Sequence, residues 1–145
     1  MPQFDREKLV TLVSEFRKSY LQLQKLKDLG QEDFLKDPDK IGSAKYQFIV
    51  AIESSIDMCN HIISRNGYRV PEDYGDTFKV MAEQGAFDQS FSEELVKMAK
   101  FRNRLVHLYW EIDDSRLYSI LEDHLADLKK FLNSIASFLE WQDFK

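Results

Sequence analysis

The stretch "DSRLYSILEDHLADLKKFLNSIASFLEW" (114–141) decides the fold class. Its leucines and one isoleucine recur at steps of three or four, the repeat that places side chains on one face of an α-helix. No glycine or proline interrupts it. We therefore expect one amphipathic helix from about Asp114 to Trp141, with an apolar stripe formed by Leu117, Leu121, Leu125, Leu128, Leu132, Ile135 and Leu139.

The N-terminal third of the chain has the same helical repeat. Helices are predicted from about Phe4 to Leu29, with Gly30 as a natural stop, and from about Ile41 to Arg65. The segment between them, 31–40, is typical of a short helical turn broken at Pro38.

The middle of the chain adds a loop and two more helices. After a loop over 66–75, "DTFKVMAEQG" (76–85) predicts a short helix with Asp76 as N-cap and Gly85 as stop. The Ser-x-x-Glu pattern of "SFSE" (90–93) is a capping box, which predicts the start of a fourth helix.

No segment has the alternation of a β-strand, and 5 Gly and 3 Pro in 145 residues are few turn formers. The expected fold is all-α: a single-domain, up-down bundle of four to five helices spanning 1–145.

The composition and charge of the chain exclude several classes of protein. The lone Cys59 excludes an intramolecular disulfide, "MPQFDREKLV" (1–10) lacks the pattern of a secretion signal, and the longest apolar run, "FIVAI" (48–52), cannot span a membrane. A cytoplasmic protein without membrane contact is expected. The net charge of −5 disfavours a broad electrostatic grip on nucleic acid, but "KMAKFRNR" (97–104) is a local basic cluster.

The stretch "FRNRLVHLYWEIDD" (101–114) carries the candidate chemistry. On a helical wheel the fourth helix has a core sector with Met98, Leu105, Leu108 and Ile112 around Phe101, and a solvated sector with Lys97, Lys100, Arg104 and Glu111. A third sector mixes apolar and reactive side chains: Ala99, Arg102, Asn103, Val106, His107, Tyr109 and Trp110.

This third sector predicts contact with a second chain, because an exposed patch with Trp110 and Val106 would otherwise face water. Arg102 and His107 lie about 140° apart on the wheel, too far to converge on one small ligand. An isologous homodimer would bring both residues of both copies around one cleft.

The motif "RNRLVHLY" (102–109) resembles the Arg-x4-His-x-Tyr signature of HepT-like toxins in the HEPN superfamily. Arg102, His107 and Tyr109 match position by position, and Asn103 is the polar residue that often follows the arginine. Residues 46–91 also resemble the family's second helix, loop and short third helix, so the likeness covers about 1–141.

The resemblance implies a homodimeric helical bundle that acts as a metal-independent RNA endonuclease without a cofactor. It implies the toxin of a two-gene pair, with a nucleotidyltransferase-fold antitoxin that adenylylates Tyr109. The catalytic residues would be Arg102 and His107.

The residue types suit that chemistry. RNA supplies its own nucleophile, the 2′-OH, so cleavage needs a base, an acid and positive charge, which His107 and Arg102 provide. Asn103 is spaced to hold His107 one turn away. Adenylylated Tyr109 would carry negative charge and bulk into the cleft.

A second polar stripe, Glu53, Asp57 and His61, follows one face of the helix predicted over 41–65. Asp57 or His61 could orient the catalytic histidine, although a solvated face is the simpler interpretation, and this spacing is a weak metal signal. No metal ligands are therefore assigned.

Two other functions remain open. One is a non-catalytic substrate-binding subunit of a two-gene nucleotidyltransferase, since such helical proteins resemble this one around an Arg-Asn…His-x-Tyr stretch. The other is a dimeric scaffold whose polar face only binds a partner. Both alternatives predict no RNA cleavage.

Overall fold

The structure is a computed structural model and describes residues 1–141. Over this range the chain forms a helical bundle without a β-strand, which confirms the predicted all-α class. Its six helices and one 3-10 turn (109–111) are α1 (Arg6–Asp28), α2 (Gln31–Leu35), α3 (Pro38–Asn66), α4 (Tyr74–Glu83), α5 (Gln89–His107) and α6 (Asp114–Leu139). Of the single domain predicted over 1–145, residues 142–145 lie outside the described part.

Helix α1 runs antiparallel to both α3 and α6 in the bundle. The start of α1 meets the end of α3, where Asp5 N–H donates to His61 Nε2 at 2.8 Å. It also meets the end of α6, where Phe4 stacks on Trp141 at 5.1 Å. The start of α6 returns to the end of α1, where Tyr118 Oη donates to Lys27 O.

Aromatic side chains from four parts of the chain meet in the core around Phe131 of α6. Its ring centroid lies 5.9 Å from Phe16, 6.0 Å from Phe78 and 5.7 Å from Phe87. Every member of the predicted α6 stripe is buried, which confirms that part of the sequence analysis: Leu117, Leu121, Leu125, Leu128, Leu132, Ile135 and Leu139. Burial of such side chains is the main source of stability in a bundle of this kind.

The helix starts correct the sequence expectations at three places. The predicted short turn over 31–40 is α2, which ends at Leu35, but α3 begins at Pro38 and not at about Ile41; Pro38 lies in the first turn, behind the N-cap Asp37, where its missing N–H is harmless. The N-cap of α4 is Asp73, not Asp76. The N-cap of α5 is Asp88, whose Oδ1 accepts from Phe91 N–H, so Ser90 is not a capping-box residue.

The end of α5 is the most consequential difference. The wheel continued this helix through Ile112, but α5 ends at His107 and Leu108 leaves helical geometry at φ −131° and ψ 40°. Leu108, expected in the core, is 38 % exposed, whereas Ile112 beyond the 3-10 turn is buried. Within residues 1–141 no helix is long and apolar enough to cross a membrane.

Candidate active site

Arg102 projects from α5 towards α3, and its guanidinium is fixed by two neighbours. Nε donates to Glu53 Oε1 at 3.0 Å, Nη2 donates to the same oxygen, and Nη1 donates to Asn103 Oδ1 at 3.0 Å. The Arg102 side chain is only 13 % exposed. Because a guanidinium has five N–H donors and these bonds use three, two remain for an incoming anion.

The aromatic ring of Tyr74 completes the setting of Arg102. Arg102 Cζ lies 4.9 Å from the centroid of this ring, which comes from the first turn of α4. Helix α4 approaches α5 closely at Gly75, where a Cβ would lie 3.3 Å from Val96 Cγ1. The Tyr74 contact was not found from the sequence, since nothing in the local pattern around residue 74 indicates a contact with residue 102.

Asn103 does not do what its spacing predicted. Its side-chain oxygen accepts from Arg102, the preceding residue, and within the described residues no hydrogen bond joins it to His107. The i, i+4 spacing permits a contact between Asn103 and His107, but the charge of the guanidinium makes the bond to Arg102 the stronger one.

His107 is the last residue of α5 and lies in the open. Its side chain is exposed, and none of the hydrogen bonds or ion pairs among residues 1–141 involves its ring. The structure therefore does not bring His107 and Arg102 of one chain together: Arg102 lies against α3 and α4, and His107 is presented at the corner between α5 and α6.

Tyr109 lies in the 3-10 turn after α5, off the helical wheel on which it was placed. It is 42 % exposed, and its ring faces the buried ammonium of Lys45, with Nζ 4.3 Å from the ring centroid. Lys45 Nζ also donates to the backbone oxygen of Tyr109 at 3.2 Å. Around Tyr109 three exposed apolar side chains remain without cover: Val106, Leu108 and Trp110, of which Trp110 is 77 % exposed.

The polar stripe of α3 divides into three environments. Glu53 holds Arg102, a role that the sequence analysis did not assign to it. The residue Asp57, one turn further on, is exposed as a whole, but neighbouring protein atoms partly shield its carboxyl from water; this desolvation, followed by the charge of Glu53, raises its pKa against the opposing charges of Lys8 and Arg102. Both carboxylates therefore lie in the field of Arg102, but only Glu53 binds it.

His61 lies away from the motif. It is buried, its Nε2 accepts from Asp5 N–H, and burial, followed by the charges of Lys8 and Arg65, lowers its pKa. Within one chain this imidazole fixes the start of α1 against α3, and among the described residues no hydrogen bond joins it to His107, so support of His107 by His61 stays a prediction.

Only one group within residues 1–141 has the composition of a metal site. The candidate ligand atoms of Glu94, His124 and Asp127 lie within 4.8 Å of one another between α5 and α6. His124 Nδ1 is 3.0 Å from Asp127 Oδ2, and Glu94 pairs with Lys97 at 3.1 Å, so each of these carboxylates already has a partner.

Comparisons with known proteins match most of this chain to one family. Residues 16–135 match the family described as "Ribonuclease HepT-like". A "Putative RNase" of Archaeoglobus fulgidus is 31 % identical over 106 residues, which cover 73 % of this chain and 80 % of that protein. The "mRNA nuclease HepT" of Shewanella oneidensis is 31 % identical over 83 residues, which cover 57 % of this chain and 62 % of that protein.

Solved structures show the same fold. The tri-AMPylated HEPN toxin of Shewanella oneidensis, in complex with MNT antitoxin, aligns with a TM-score of 0.81 at 24 % identity and covers 89 % of this chain and 96 % of that one. YutE of Bacillus subtilis, described as a cytosolic protein of unknown function, aligns with a TM-score of 0.81 at 24 % identity and covers 97 % and 94 %.

The all-helical bundle is the fold of these solved structures. This chain belongs to the HepT-like ribonuclease family, because the family match covers most of its length.

Proposed function

We propose that this protein is a metal-independent RNA endonuclease and the toxin of a toxin–antitoxin pair. The observation that carries the proposal is the contrast within the motif: Arg102 is fixed with two N–H donors left over, and the imidazole of His107 is exposed without a partner. The HepT-like family and the relatives named as ribonucleases support it.

The reaction uses groups that this chain carries. His107 takes the proton of a ribose 2′-OH, the 2′ oxygen attacks the adjacent phosphorus, and the bond to the 5′ oxygen breaks as that oxygen is protonated. Arg102 stabilises the charge that develops on the phosphorane oxygens through its remaining N–H donors. The products are a 2′,3′-cyclic phosphate and a 5′-OH, and no step needs a metal ion.

The cleavage site is composite and needs two protomers. Since Arg102 and His107 diverge on one chain, the second copy supplies the missing residue of each pair. The exposed apolar corner of Val106, Leu108 and Trp110 is the surface that such a homodimer would bury.

A nucleotidyltransferase-fold partner neutralises the protein by adenylylating Tyr109. Tyr109 is partly exposed at the corner that also carries His107, so an added AMP group would place a negative phosphodiester at this corner and repel RNA. The AMPylated relative in complex with MNT antitoxin supports this part of the proposal.

The test is single-turnover cleavage of total RNA by wild type, His107→Ala and Arg102→Ala, each with and without EDTA. We expect a loss of about 10²- to 10⁴-fold for His107→Ala and about 10²- to 10³-fold for Arg102→Ala, with no effect of EDTA. The matched control is Arg104→Ala, an exposed arginine two residues along α5, which should cleave at the wild-type rate.

Undiminished cleavage by His107→Ala and Arg102→Ala would refute the assignment. Absence of cleavage by wild type would favour the non-catalytic substrate-binding subunit.

A further inference from the structure

Lys45 occupies a position where a helical bundle normally places an apolar residue. It lies on the buried stripe of α3 between Ile41 and Phe48 and is 7 % exposed. Lysines are rarely buried to this degree without a carboxylate partner. Among the described residues, none of the ion pairs includes Lys45, so this buried residue lacks a counter-ion within that part of the chain.

Within residues 1–141, the Lys45 ammonium makes its hydrogen bond and its cation–π contact with Tyr109. Nζ donates to the Tyr109 backbone oxygen at 3.2 Å and faces the Tyr109 ring at 4.3 Å from its centroid. A cation over an aromatic face is attracted to the ring. One ammonium therefore fixes both the backbone of the 3-10 turn and the plane of the tyrosine ring.

The hydroxyl of Tyr109 reaches one turn further back along α3. It lies beside Gly42, where a Cβ would be 3.7 Å from Tyr109 Oη. Because residues three apart are neighbours on a helix surface, Gly42 and Lys45 form one continuous strip under the ring. Gly42 has no side chain to cover the hydroxyl, and Tyr109 as a residue is 42 % exposed, which leaves it open to an approaching reagent.

We propose that Lys45 is the positioning residue for modification of Tyr109. It orients the phenol towards an incoming ATP, and after adenylylation it serves as the counter-ion of the new phosphodiester. This inference rests on the proposed function, and it adds a residue of this chain to the regulation by the partner.

The AMP group transferred in the chemical step comes from ATP bound to the partner. Tyr109 Oη attacks the α-phosphorus, a new Oη–P bond forms, the bond from the α-phosphorus to the β-phosphate oxygen breaks, and pyrophosphate leaves. The phenolic proton is released to solvent. The product carries one negative charge next to a ring that Lys45 already contacts, so the buried ammonium gains the counter-ion that it lacks in the unmodified protein.

A purely structural role for Lys45 makes the opposite prediction about stability. A buried cation without a carboxylate destabilises a fold, and an apolar side chain of similar length fills the same space without that penalty. Lys45→Met should therefore keep or raise the Tm and still impair modification. A residue needed only for packing would lower the Tm when replaced.

The test measures AMP incorporation into Tyr109 by intact-protein mass spectrometry, with MgATP and the nucleotidyltransferase partner. We expect kcat for transfer to fall between about 10- and 100-fold in Lys45→Met, because the nucleophile is no longer aligned. KM for ATP stays unchanged, since ATP binds to the partner. Lys45→Arg, which keeps the cation, should restore most of the rate, and Lys40→Met, an exposed lysine of the same helix, is the matched control.

The outcomes separate this inference from the proposed function. Transfer to Lys45→Met at the wild-type rate would overturn the inference and leave the proposed function standing. Equal slowing of the Met and Arg variants together with a lower Tm would also overturn it, since packing would then explain the effect. Tyr109→Phe is the unmodifiable reference. If wild type incorporates no more AMP than this variant, both the inference and the proposed neutralisation are refuted. The proposed RNA cleavage is tested separately, by the cleavage assay.

Discussion

The two ends of the motif lie five residues apart in sequence and in opposite environments. Arg102 is half-buried and held by Glu53, Asn103 and the ring of Tyr74. His107 and the corner that follows it are exposed, and there the helix ends in a 3-10 turn. One protomer has thus pre-organised the electrostatic half of the proposed site and left the acid–base half open to a partner copy.

Trp110→Glu, at the exposed end of the motif around His107, should have the largest effect on RNA cleavage. This side chain is 77 % exposed in the protomer, so a charge there leaves folding intact but opposes burial against a second copy. We expect a monomer in sedimentation experiments, an unchanged Tm at low concentration, and loss of RNA cleavage to the level of His107→Ala. A monomeric Trp110→Glu variant with full activity would show that one chain contains the whole site.

Glu53→Gln, at the end of the motif where Arg102 is held, should have an intermediate effect on RNA cleavage. The amide keeps an acceptor for Arg102 but removes the counter-charge, which we expect to lower the free energy of unfolding by about 1–2 kcal/mol after allowance for the solvent exposure of Glu53. The cleavage rate should fall by about tenfold as the guanidinium loses its alignment. Chemical denaturation and single-turnover kinetics measure both quantities.

The matched control for Glu53→Gln is Asp57→Asn, one turn along the same helix. Burial and the charge of Glu53 raise the pKa of Asp57, so neutralising it should leave stability at pH 7 unchanged or higher. Equal losses of stability in the two variants would contradict this account, because they would mean that the bond from Arg102 does not explain the contribution of Glu53 to the free energy of unfolding.

Asp76→Asn should have the smallest effect, through the loop that carries Tyr74. Arg69 binds Asp76 at 2.7 Å and Glu83 at 3.1 Å, which braces the start of α4. The bond from Arg69, followed by that from the backbone N–H of Glu72, lowers the pKa of Asp76 to about 2. An acid with a depressed pKa stabilises the fold above its unfolded pKa of 3.8 and loses that contribution as pH falls towards 2.

The Tm of Asp76→Asn should therefore lie a few degrees below wild type between pH 5 and 7, and the two should converge near pH 2. A difference in Tm that is constant down to pH 2 would contradict this account of the carboxylate.

Sequence periodicity predicted the fold because most of the bundle consists of amphipathic helices, whose buried residues recur every three or four positions. The α6 stripe needs only a repeat of three and four, and every member is buried. The helix starts were harder because several aspartates and serines compete for each cap, and tertiary contacts choose among them. Asp76 binds Arg69 instead of capping α4, and Asp73 takes that role.

The site could be predicted only in part, for a similar reason. The motif spacing selected Arg102, His107 and Tyr109 as candidates, and their roles stay predictions, but no glycine or proline signalled that α5 ends at His107. Lys45 was missed because a lysine is normally taken as a surface residue, although its position on the stripe with Ile41, Phe48 and Ile52 was a usable signal. The contact with Tyr74 depends on how α4 docks, which no local pattern encodes.

The most direct measurement mixes two inactive proteins, Arg102→Ala and His107→Ala, under conditions that allow subunit exchange. With random exchange about half of the dimers are mixed, and each mixed dimer has one intact arginine and one intact histidine on opposite chains. The account predicts that RNA cleavage reappears well above that of either parent and scales with the fraction of mixed dimers. Mixed dimers that form and remain inactive would contradict it.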